Sequence, residues 1–170
     1  ASEFSVNTYV DPLTTPFGGL FPTANLALRV SLSIFDSYYY IEANSSSITE
    51  IGQRGVIIGD LDYDVPKIVD EFPLAFGDSI ENGYQPTGMG AETYKKKYDG
   101  FGTLIYTVGT FQNVKRFFID DSGIGASYIW VASNNAILFQ MSPDGSGATY
   151  FDNPGVITGL AQDEYLSLIH

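Results

Sequence analysis

Leu26-Ala27-Leu28-Arg29-Val30-Ser31-Leu32-Ser33-Ile34 alternates large apolar residues with small or polar ones for nine positions. In an extended chain, successive side chains point to opposite faces. The pattern therefore puts Leu26, Leu28, Val30, Leu32 and Ile34 together on one side, as in a half-buried strand. Asp36-Ser37 then turns the chain into Tyr38-Tyr39-Tyr40-Ile41-Glu42, a partner strand, and Asn44-Ser45-Ser46-Ser47 forms a loop. Arg54-Gly55-Val56-Ile57-Ile58-Gly59 reads as a short buried run.

The same alternation returns in the last third of the chain. Strands are predicted over 103–108, 114–119, 127–132, 136–141, 148–151 and 164–169, separated by turn residues about every ten positions. Composition agrees with this reading. Charged residues make up 16% of the chain, below the usual ~25%, so solvent-facing helices have little to be built from. The twelve Tyr, twelve Phe and eighteen Gly suit pleated surfaces and tight turns instead. The expected class is all-β, a single antiparallel β-sandwich of jelly-roll or Ig-like type over 26–170.

Two segments depart from that pattern. Residues 1–25 carry Pro12, Pro16, Pro22 and Gly18-Gly19, with Phe4, Tyr9, Phe17, Leu20 and Phe21 between them. Prolines hold such a stretch out of helices and central strands. This predicts an extended N-terminal arm with apolar anchors, lying over its own domain or across a neighbouring copy. Residues 60–102 hold Pro66, Pro73, Pro86 and many glycines, and read as a long irregular insertion. Asp64 as N-cap and Pro66 in the first turn suggest a short helix from Val65 to Glu71.

Charge excludes several functions. The 170-residue chain has a net charge of −12, no cysteine and one histidine, His170. With no Cys and one terminal His, structural zinc centres, iron–sulfur clusters and Cys- or Ser–His nucleophiles are not expected. The acidic balance argues against nucleic acid, and no apolar run approaches the ~20 residues that span a bilayer. The first residues show neither the basic nor the apolar segment of a signal peptide.

Three constellations could carry binding. Asp60, Asp62, Asp64 and Glu71 occupy positions 1, 3, 5 and 12 of an EF-hand-like calcium loop. Val65 replaces the glycine required at position 6 and Pro66 follows, so a solvated acidic loop, or one facing a basic partner, is preferred to bound Ca²⁺. No other cofactor is expected. Seven acids stand between Asp60 and Glu81 against one base, Lys67, shortly before Tyr94-Lys95-Lys96-Lys97-Tyr98. Lys95, Lys96 and Lys97 would complement the acidic stretch within one chain or between copies. Tyr38, Tyr39 and Trp130 invite a sugar-contact reading, because sugars stack on flat aromatic faces; alternation puts at least half of such rings in a core. Asn44-Ser45-Ser46 fits the N-glycosylation pattern. No spacing among the twenty acids singles out a glycosidase pair.

From Val114 to Ile169 the order of features is Asp121-Ser122-Gly123, a turn at Asn134-Asn135, Asp144-Gly145-Ser146-Gly147, Asn153-Pro154-Gly155 and a closing Ala161-Gln162-Asp163-Glu164-Tyr165-Leu166-Ser167-Leu168. This third of the chain resembles the small β-sandwich modules of tailed-bacteriophage structural proteins, especially head-decoration and fibre components. The resemblance implies no catalytic residues and a function through contacts with other virion proteins. The expectation is a non-enzymatic component of a virion or extracellular assembly, with itself and other assembly proteins as partners. Phe4, Tyr9, Phe17, Phe21 and the three lysines are its interface candidates. The alternative is a carbohydrate- or receptor-binding module; a small acid-only hydrolase is a third reading.

Overall fold

The computed structural model describes residues 5–32, 34–106, 109–133 and 137–150. The fold is all-β and antiparallel. Its strands are β1 (Ser5–Val10), β2 (Leu26–Leu32), β3 (Phe35–Ala43), β4 (Ser47–Gly55), β5 (Leu61–Glu71), β6 (Ser79–Pro86), β7 (Glu92–Tyr106), β8 (Gly109–Asp121), β9 (Gly125–Val131), β10 (Ile137–Met141) and β11 (Ala148–Tyr150). Strand order in the sheet follows strand order in the sequence. A jelly roll or Ig-like sandwich would place non-consecutive strands side by side. The described strands form a meander, which corrects that expectation.

The described residues divide into two units: 5–73 with 83–91 make up the first, and 74–82 with 92–150 the second. The strand β6 contributes its first half to unit 2 and its second half to unit 1.

In unit 1, β2 and β3 pair from Leu26↔Ile41 to Leu32↔Phe35, as the alternation requires. Both faces of this sheet are covered. Leu26, Ile41, Ala43 and Ile48 form one cluster, with Tyr9, Leu28, Val69 and Phe72 packed against it. The opposite face buries Ala27, Tyr38 and Tyr40 beneath Phe21, flanked by Val10, Phe17, Ala24 and Ile51. Alternation of large and small residues suggests one wet face; Ala27 is instead fully buried, because the N-terminal segment covers it. Ile34, expected on the core face, lies in the β2–β3 turn and is 87% exposed. The run predicted to be buried at 54–59 is likewise divided. The strand β4 ends at Gly55, and Val56 is exposed in the turn that follows.

The N-terminal segment is part of unit 1. Strand β1 pairs with β2 from Ser5↔Leu32 to Val10↔Ala27. Asp11 then caps a short 3-10 turn, Pro12–Thr14, accepting from the Leu13 N–H at 2.8 Å, and a second such turn spans Gly18–Leu20. Close approach makes Gly18 necessary, since a Cβ there would lie 2.0 Å from the Pro12 carbonyl oxygen.

The predicted irregular insertion and its helix are both corrected. Residues 60–102 contain β5, β6 and the start of β7. The strand β5 runs through Pro66 because register shifts against β4 relieve the ladder there, and Val65 and Pro66 are both exposed. Lys67, by contrast, is buried with its ammonium 4.9 Å from the Tyr84 ring centre.

In unit 2, β7 and β8 pair over eleven residue couples from Tyr94↔Asp121 to Tyr106↔Gly109. Strands β9, β10 and β11 follow antiparallel. Tyr98, Phe117, Ile129 and Val131 line one face and are joined by Leu74 and Ile119. Residues 77–78 hydrogen-bond to Tyr98, and Phe76 meets its ring edge-on at 5.5 Å. The turns at Asp121-Ser122-Gly123 and Asp144-Gly145-Ser146-Gly147 occur where expected. Asn134-Asn135, Asn153-Pro154-Gly155, the closing 161–169 segment and Phe4 lie outside the described residues.

Gly52 is a second position with no room for a side chain: a Cβ there would lie 2.3 Å from the Phe21 ring. Gly52→Ala must displace that ring and is expected to destabilise the protein by about 1–3 kcal/mol. Phe21→Ala, which opens a cavity, should cost about 3–5 kcal/mol. Urea unfolding curves of the two variants measure both losses.

Candidate functional site

The aromatic anchors of the N-terminal segment are internal to unit 1. Phe21 stacks on Tyr40 with ring centres 4.2 Å apart, and Phe17 meets Tyr38 edge-on at 6.5 Å. The Thr15 and Tyr40 hydroxyls lie 2.7 Å apart in a hydrogen bond. The Arg54 guanidinium sits 4.8 Å from the Phe21 ring centre and donates to Asp62 at 2.6 Å. Tyr9 is half-buried, packed with the cluster on the other face. Tyr9, Phe17 and Phe21 thus serve the chain's own core, the first of the two placements open to the arm.

Asp60, Asp62, Asp64 and Glu71 do not converge. Asp60 accepts from the Gly55 N–H at 3.0 Å, Asp62 pairs with Arg54, and Asp64 accepts from the Thr87 hydroxyl at 2.7 Å. An EF-hand loop curls its ligands around the ion, whereas β5 is extended. At ~3.3 Å per residue, Glu71 stands roughly 30 Å from Asp62. Among the described residues, no group of three or more acids or histidines could hold a metal ion.

The lysine cluster is divided by alternation along β7. Tyr94, Lys96 and Tyr98 face inward and are buried, while Lys95 and Lys97 face outward and are exposed. The Lys96 ammonium lies 4.6 Å from the Phe117 ring centre. Lys95 pairs with Glu81 at 3.2 Å, so one contact between the lysines and the acidic stretch is made within the chain. Both partners are well exposed, and such a pair contributes little to stability.

Tyr38 and Tyr39 lie on opposite faces of β3, and Trp130 belongs to unit 2. Tyr38 is buried, Tyr39 half-buried. Burial raises the hydroxyl pKa of both, with Asp36 adding to the effect at Tyr38 and Glu50 at Tyr39. Trp130 has other companions, which its sequence neighbours do not disclose. Cross-strand register sets Arg116 opposite Trp130 and Phe118 opposite Tyr128, and Phe139 of β10 opposite Trp130. The rings form a continuous row: Phe118 to Tyr128 at 5.1 Å, Tyr128 to Trp130 at 6.1 Å, Trp130 to Phe139 at 5.2 Å. Phe139 is buried, whereas Phe118, Tyr128 and Trp130 each keep part of their surface in solvent.

Charge is fixed beside this row. A register irregularity at Asp99 interrupts the β7–β8 ladder. Arg116 donates to both Asp99 carboxylate oxygens, at 2.9 and 3.3 Å, and its guanidinium lies 5.2 Å from the Tyr128 ring centre. Opposite Arg116 stands Gly100, where a Cβ would come within 3.1 Å of the arginine side chain. The only sequence signal for this set was Trp130; the rest depends on register.

A concavity lies elsewhere in the same unit. An open cleft of about 280 Å³ is lined by Ile124, Ser127, Gln140, Met141 and Ser142, with glycines at 125 and 147. Asp144 caps the turn at its side, accepting from the Ser146 N–H at 2.9 Å and the Ser146 hydroxyl at 2.7 Å.

Compared with known proteins, the chain matches no family model, no curated protein and no solved structure.

Hydrogen bonds from Ser146 lower the Asp144 pKa from 3.8 to about 2. Because the folded value lies below the unfolded one, this turn's contribution to stability is complete above pH 3.8 and is lost as pH falls towards 2. Carboxyl-detected NMR titration should give an Asp144 midpoint near 2, and Ser146→Ala should move it upward.

Proposed function

We propose that the chain is a non-enzymatic structural component of a larger assembly, acting through protein–protein contacts, in the virion setting that the resemblance of residues 114–169 implies. The observation that carries this reading is an apolar tip at one end of unit 1. Ser37 of β3 pairs with Gly55 of β4, and the Ile57 N–H donates to the Ser37 hydroxyl at 3.0 Å. This brings the β2–β3 turn beside the β4–β5 turn. Ile34, Phe35 and Val56 stand there 87%, 47% and 77% exposed.

Scattered single apolar side chains on a surface need no explanation, whereas three large ones at adjacent turns do. Turns ordinarily carry polar residues and glycine. Ile, Phe and Val gain nothing locally at these positions, but each would lose water-exposed apolar area against a partner. Phe35 begins β3, and Ile34 and Val56 stand in the turns beside it. Gly55 supports this arrangement: its φ of +130° is open to glycine, and a Cβ would lie 2.6 Å from the Ser37 backbone.

Sedimentation velocity over a concentration series tests the reading. The wild-type chain is expected to associate, and Ile34→Ser with Val56→Ser to weaken association at least tenfold while leaving the far-UV spectrum unchanged. A wild-type chain that stays monomeric at every concentration, or a double variant that associates equally well, would sink it.

A further inference from the structure

Building on the proposed role of the apolar tip in assembly, we infer that its partner is a second copy of this chain. The tip of one copy docks on the open face of the other copy's β7–β8 hairpin, around Phe101, Ile105 and Lys115.

Alternation and pairing decide what this hairpin shows to solvent. Val114 is buried with Leu138 and Phe139, and Leu104 and Phe111 pack against them, so one face of the hairpin is covered. Gly102 pairs with Val114 on that face. Phe101 and Ile105, the chain neighbours of Gly102 and Leu104, therefore stand on the other face. There they are 60% and 78% exposed. Phe101 pairs with Lys115, and Lys115 with Val131 of the cluster buried on that side, so the lysine stands beside Phe101. Large apolar side chains this exposed, on a face whose reverse is packed, have no internal purpose.

Charge selects the occupant. From Gly100 to Lys115 the sequence holds no acid and one base, Lys115, in a chain of net charge −12. Among the described residues no carboxylate pairs with Lys115. The tip is the opposite case. Asp36 and Asp60 are exposed beside Ile34, Phe35 and Val56, with Asp60 held by the Gly55 N–H. Arg54 is already paired with Asp62, and Arg29 stands further in, across from Tyr38. Two copies of so acidic a chain repel at long range, so a contact between them needs local complementarity. Tip against tip would set Asp36 and Asp60 facing their own counterparts. Tip against hairpin joins apolar to apolar and brings those carboxylates to the one cation of an acid-free stretch. Such a contact joins two different patches, so each copy offers one tip and one hairpin, and association continues into rings or open chains.

Mixing two variants tests this. Ile34→Ser with Val56→Ser removes the tip and leaves the hairpin; Phe101→Ser with Ile105→Ser removes the hairpin face and leaves the tip. All four residues are mostly exposed, so far-UV spectra should stay unchanged. By sedimentation velocity, each double variant alone is expected to associate at least tenfold more weakly than the wild type. An equimolar mixture should form a complex of two chains and nothing larger, since only one intact tip and one intact hairpin remain to meet. Lys115→Glu in the otherwise wild-type chain should weaken association about fivefold or more. If the Phe101/Ile105 variant associates as the wild type does while the Ile34/Val56 variant does not, the hairpin is not the partner, and the assembly role of the tip stands. A mixture that stays monomeric, or a Lys115→Glu chain that associates normally, also overturns the inference. A wild-type chain that is monomeric at every concentration removes the tip's role and this partner with it.

Discussion

Unit 1 depends on one stacked pair, Phe21 on Tyr40, seated where Gly52 leaves no side chain. The contact makes the N-terminal segment part of the sheet's core. Phe21 seals Tyr40 and Ala27, both with no exposed surface, and Tyr40 keeps its hydroxyl satisfied through Thr15. Arg54 then covers the outer side of the Phe21 ring and is held by Asp62. A sheet with one apolar face needs a second layer; here that layer is the proline- and glycine-rich segment itself.

Unit 2 solves the same problem with its own chain. Residues 74–78 cover Tyr98 and Phe117 on one face of β7–β9, and alternation sends Lys95, Lys97 and Arg116 to the other. The outward face keeps a row of half-buried rings beside a fixed ion pair, a combination that a core does not require. The apolar tip of unit 1 is the other surface feature with no internal purpose.

Much of this architecture was legible in the residues. The nine-position alternation at 26–34 correctly announced β2, and Tyr38-Tyr39-Tyr40 its partner. The ten-residue rhythm after residue 103 located most of the later strands. The strands of the middle are not legible locally, because proline and glycine there resemble the punctuation of an irregular loop. Val65 and Pro66 tolerate a strand position where the pairing with β4 shifts register, and that shift leaves no local signature. The acidic residues of 60–71 lie along this strand and the turn before it, and Asp62 faces a basic partner, Arg54. Their spacing fits a calcium loop only if the chain curls around an ion, and β5 is an extended strand.

The sequence by itself determined that the chain is all-β, acidic and free of cysteine, because these follow from composition and from a side-chain period of two. It also located most turns, where Gly, Asn and Asp adopt backbone shapes that other residues resist. Only the tertiary structure decided which strands are neighbours, and hence that they form a meander. It alone set Phe118, Tyr128 and Trp130 in one row and placed Arg116 against Asp99. Register is a property of two strands at once; no single stretch of sequence contains it, and a one-residue slip would send every one of these side chains to the opposite face.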